Sequence, residues 1–99
     1  MLHIINKSPF EKSSFEAAVK TAASGSTFLL IEDGVYAALA NTNASDVLAK
    51  AMSIGKVVAL SSDTKARGIT ENLADGVTQT DYAGFVDLVA EADKTQSWL

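Results

Sequence analysis

The chain is 99 residues long, 47% apolar and 20% charged, with twelve acids against eight Lys and Arg and a formal net charge of −4. That length suffices for one domain spanning 1–99 with its own core. The composition is too apolar for disorder and too poor in basic clusters for tight nucleic-acid binding by this chain alone.

Leu2-His3-Ile4-Ile5 reads as a first strand. Ser8 with Glu11, and Ser13 with Glu16, both match the capping-box spacing. The second box leads into Phe15, Ala18, Val19, Ala22 and Ala23, spaced as one buried helical face. A helix is expected over about 13–24, ended by Gly25. Phe28-Leu29-Leu30-Ile31 is a continuous apolar run, the pattern of a strand covered on both sides. Glu32-Asp33-Gly34 follows, then a short helix over 35–40 for which Asp33 is the expected cap. A second helix over about 44–53 turns Val47, Leu48 and Ala51 inward and ends at Gly55. Val57 to Leu60 is the third strand.

Asp63 to Arg67 carries the signals of a single helical turn, with Gly68 just past its end. Val77 to Thr80 forms a weaker strand. Asp81 caps a last helix on which Tyr82, Phe85, Val86 and Val89 are expected to share one stripe, and Thr95 to Leu99 forms an edge strand. Strands alternating with helices predict an α/β fold with a mainly parallel sheet.

No cysteine occurs. Disulfides, thiolate metal sites, iron–sulfur clusters and cysteine nucleophiles are thereby excluded. Glycine-rich phosphate loops, zinc-protease motifs and nucleophile elbows are missing as well. With one histidine and no thiol, neither a metal site nor a resident cofactor is expected. No signal-peptide pattern and no apolar run near ~20 residues is found, so a cytoplasmic, non-membrane protein is expected.

Candidate residues remain. His3 lies inside a strand, where a backbone partner is expected for its ring. Asp33 and Gly34 follow a strand end, where open α/β sheets bind ligands, although a cap and a turn explain them without one. Arg67 suits either an anion or the negative end of its own turn. Tyr36 and Trp98 are the aromatics expected at partial exposure, at the core edge or against a partner. If His3, Asp33 and Arg67 converged in one pocket, a small hydrolase or anion-binding enzyme would result. A stand-alone homo-oligomer with a ligand at the sheet's carboxyl edge is a further alternative.

Five ordered segments carry a resemblance. They are Leu2-His3 with Asn6-Lys7-Ser8-Pro9, Glu32-Asp33-Gly34-Val35, Asp63 with Lys65-Ala66-Arg67-Gly68, Asp81-Tyr82 with Phe85-Val86, and Gln96-Ser97-Trp98. Together they resemble the DsrH/TusB family of small sulfur-relay subunits, DsrH more closely. The resemblance implies a three-layer sandwich, a mainly parallel five-stranded sheet with helices on both faces. It also implies a hetero-hexamer with DsrE/TusD-like and DsrF/TusC-like subunits, which pass persulfide sulfur between cysteines. Such complexes serve sulfur oxidation or 2-thiolation of the tRNA wobble uridine. Some relatives carry a cysteine at the position aligned with Ala18. Alanine offers no thiolate, so the resemblance implies an accessory, non-catalytic subunit here.

Overall fold

The computed structural model describes residues 1–98; Leu99, expected to end the edge strand, lies outside the described residues. The elements are β1 (Leu2–Ile5), α1 (Ser14–Thr21), β2 (Thr27–Leu30), α2 (Ser45–Ile54), β3 (Lys56–Leu60), α3 (Ser61–Ala66), β4 (Thr78–Thr80), α4 (Tyr82–Glu91) and β5 (Thr95–Trp98). Two 3-10 segments, Glu32–Ala38 and Thr70–Asn72, join them. The sheet order is β4-β3-β2-β1-β5, and every pairing is parallel. The α/β class and the five parallel strands are those the sequence predicts.

Parallel neighbours need crossovers, and crossovers are right-handed in nearly every protein. The walk β1 to β4 moves steadily one way, so its connections fall on one face. The step from β4 to β5 runs back across the whole sheet, which sends α4 to the opposite face.

The packing follows that rule. On the first face Ile5, Phe28, Leu30, Val57 and Ala59 meet Phe15, Ala18 and Val19 of α1, Leu48 and Ala51 of α2, and Val35, Ala37 and Ala38 of the 3-10 segment. The many alanines let helix backbones sit close to the strands. On the second face Leu2, Leu29 and Val58 meet only Phe85, Leu88 and Ala92, with Ile4 and Ile31 half-buried beside them.

That second face corrects the expected stripe on the last helix. Phe85 packs inward with Leu88 and Ala92, while Tyr82, Val86 and Val89 are exposed. Phe85 belongs equally to an i, i+3 inner row and an i, i+4 outer row, and only the position of the sheet decides between them.

Helix α1 stops at Thr21 and its cap Ala22 is extended. Ser13 makes no side-chain cap there. Ser8 shapes a turn instead of a helix, its Oγ accepting from the Phe10 N–H at 3.2 Å. Asp81 does cap α4, its Oδ1 accepting from the Gly84 N–H at 2.8 Å.

Candidate functional site

The carboxyl ends of β2 and β3 bring together four charged residues, Glu32, Asp33, Asp63 and Arg67. Arg67 caps α3. Its Nε and Nη2 both donate to Asp33 Oδ1, at 2.9 and 2.8 Å. Its Nη1 donates to the Asp63 carbonyl at 3.3 Å and stands 3.6 Å from Asp63 Oδ1. Asp63 Oδ2 accepts from the Glu32 N–H at 2.6 Å. Glu32 has φ +50, a left-handed conformation that a non-glycine residue holds only at a cost of about 1 kcal/mol or more. The short charge-assisted bond from Asp63 offsets that strain.

The cluster is a latch. It ties the turn after β2 to the turn after β3. One guanidinium faces two carboxylates, with Glu32 beside them, so the local charge is negative and poorly suited to an anion. Among the described residues no group of His, Asp and Glu has the arrangement of a metal site.

The expected cap at Asp33 is not formed. The 3-10 segment begins after Ile31 with no side-chain cap, because the Asp33 carboxylate is drawn to Arg67, 34 residues away. Gly34 is a packing glycine: a Cβ there would collide with the Ile5 carbonyl. The Gly34 N–H donates to the Ile31 carbonyl at 2.8 Å, and Ile31 N–H in turn to Ile5 at 3.0 Å. The 3-10 segment thereby docks against the end of β1 with no space for a side chain or ligand.

His3 stands apart. Its strand register pairs it with Phe28, and roughly 10 Å of extended chain runs from Phe28 to Ile31 before the turn that carries Asp33. The ring is 2% exposed. It stacks on Phe28 with centroids 5.4 Å apart. Its Nδ1 accepts from the indole Nε1–H of Trp98 at 3.1 Å. The expected backbone partner is absent because β1 lies between β2 and β5 and spends its carbonyls on ladders. A ring whose Nδ1 accepts is neutral, with its proton on Nε2. That atom is buried without a partner among the described residues, as is Asn6 Oδ1. Burial lowers the His3 pKa, and the positive N-terminus adds to the effect. His3, Asp33 and Arg67 therefore do not converge, and the pocket that the enzyme alternative requires is not formed.

Tyr36 and Trp98 are half-buried against the main core. The most exposed aromatics are Phe10 and Tyr82. Ala18 is 0% exposed. No described helix is long and apolar enough to cross a membrane.

The family described as "DsrH like protein" matches residues 7–95. The protein TusB of Pectobacterium parmentieri is 31% identical over 99 residues, covering 99% of this chain and 100% of the relative. The protein TusB of Escherichia coli O81 (strain ED1a) is 33% identical over 98 residues, with 99% and 100% covered. The crystal structure of the ychN protein from E. coli superposes with a TM-score of 0.82 at 21% identity, over 98% of this chain and 97% of that one. That last likeness concerns the fold alone.

Proposed function

The chain belongs to the DsrH/TusB family, and on that premise we propose that it is a one-domain, non-catalytic subunit of a cytoplasmic sulfur-relay complex. The reading rests on one observation above others: relatives named TusB match this chain end to end, while this sequence contains no thiol. Persulfide relay requires a thiolate that attacks a sulfane sulfur and later releases it. The candidate residues are committed elsewhere, Arg67 and Asp33 to each other and His3 to Trp98. Sulfur therefore travels on the cysteines of DsrE/TusD-like and DsrF/TusC-like partners, and this chain contributes assembly and positioning. The complex feeds sulfur oxidation or thiolation of the tRNA wobble uridine.

Co-expression with those two partners from the same organism tests the idea. The expected result is one complex containing all three chains, in which a sulfane donor adds a sulfur atom to a partner and never to this chain. Failure of this chain to co-purify, or sulfur found on it, overturns the reading.

A further inference from the structure

Charge is divided unevenly along this chain. Between Gly68 and Asp93 there are six acids (Glu71, Asp75, Asp81, Asp87, Glu91 and Asp93) and no Lys, Arg or His. The net charge of the whole chain, −4, is smaller in magnitude than the charge of that stretch. Helix α4 lies within it and has no fully buried residue.

Its outer side carries Tyr82, Val86 and Val89, spaced i, i+4 and i+7, at 71%, 47% and 38% exposure. At 100° per residue these three lie within one narrow strip, and Ala90 and Ala83 widen it. Asp87 and Glu91 run along the flank of α4 that faces β4. They line a groove of about 620 Å³ that Val58 and Leu88 also line. An apolar strip with acids along one flank is the pattern of a docking surface, with an apolar centre and a charged rim.

The geometry points to this face of α4 as the surface on which a different polypeptide docks, one presenting an apolar patch bordered by Lys or Arg. The inference rests on the subunit reading above and names the face and the partner's chemistry. Electrostatics selects among occupants. A second copy meeting this face about a two-fold axis would bring Asp87 and Glu91 near their own equivalents, like charges in a desolvating interface. Phosphate backbones and anionic lipid surfaces are repelled for the same reason. A basic-rimmed protein gains on every term. Its apolar patch covers Val86 and Val89, and the aliphatic stems of its basic residues lie along the groove with their charges at Asp87 and Glu91.

The test compares the wild-type chain with the double variant D87K/E91K, both co-expressed with the two partner subunits. Both changed residues are exposed, so the thermal midpoint of the isolated variant is expected to match wild type. The variant is expected to bind at least about tenfold more weakly, and the wild-type complex to loosen as salt rises. Amide exchange along α4 is expected to slow when the wild-type complex forms. A variant that assembles like wild type, or an α4 left unprotected in the complex, overturns the assignment of the face and leaves the subunit reading standing. A wild-type chain that joins no partner overturns both. A homodimer of the isolated wild-type chain that dissolves in the variant overturns the choice of a different polypeptide.

Discussion

Placing a thiol at Ala18, the position that the resemblance aligns with a cysteine of some relatives, separates two explanations of the proposed passive role. Ala18 sits on α1, fully buried, in one cluster with Phe15, Val19, Phe28 and Leu48. Ala18→Cys adds one sulfur to a close-packed site, at an overpacking cost of about 1–3 kcal/mol. A domain of ordinary stability, roughly 5–15 kcal/mol, survives that. Burial in apolar surroundings also holds the thiol protonated and unreactive. Reagents then reach the sulfur only when the chain opens. With about 5 kcal/mol of remaining stability the open fraction is near 10⁻⁴, so alkylation of folded A18C should run ~10³–10⁴-fold slower than in denaturant. The assay is the iodoacetamide rate with and without guanidinium, followed by loading with a low-molecular-weight persulfide. Folded A18C is expected to stay unlabelled and to take up no sulfur. Native labelling within about tenfold of the denatured rate would refute the burial argument. The passive role would then come down to a missing atom alone, and a one-residue change could make this chain a carrier.

Gly34→Ala forces a Cβ into the Ile5 carbonyl, backbone against backbone, so relief requires moving the 3-10 segment off β1. A loss of at least ~3 kcal/mol is expected in urea unfolding, more than a loop glycine ordinarily costs; a loss below about 1 kcal/mol contradicts the docking described. The His3–Trp98 pair should make stability pH-dependent. The folded chain resists a proton that the unfolded chain accepts near the ordinary imidazole value of about 6.5. The His3 contribution is therefore whole above about pH 6.5 and is lost as pH falls below it toward the lowered folded value. Thermal midpoints should drop between about pH 7 and pH 5.5, with a change in the fluorescence of the chain's one tryptophan. His3→Gln should flatten that dependence, and an equally steep profile in the variant removes His3 as its source.

What was legible in the sequence is what short-range rules govern. The unbroken run Phe28 to Leu30 is a central strand with all three side chains fully buried. Gly55 ends α2, Gly68 with φ +67 follows α3, and Asp81 caps α4. Each depends on residues no more than four positions apart. At the candidate residues the differences involve partners far away in sequence. Asp33 looks like a cap until Arg67 is folded next to it, 34 residues on. The ring of His3 finds Trp98 across 95 residues, and no pattern near either one announces the pair. Asp63 supports the left-handed Glu32 from 31 residues away, in a place where the sequence suggested only a helical turn.

The stripe on α4 departs from its sequence pattern for a different reason, one that bears on function. A helix read alone has an apolar side, and the default is to turn all of it toward the core. Here Phe85, Leu88 and Ala92 satisfy the sheet, while Tyr82, Val86 and Val89 remain outside. The strand order explains why. Four strands wind in one direction and send all their connections to one face, so a single reversed crossover must cover the other. One helix, about 10–12 Å across with its side chains, cannot cover five strands spaced ~4.8 Å apart. Ile4 and Ile31 stay half-buried as a result. The first face is covered within this chain, the second only in part. That division gives the proposed subunit role a physical footing: the chain's own topology leaves one side of the sheet incompletely covered, and Asp87 and Glu91 line the groove beside its single helix.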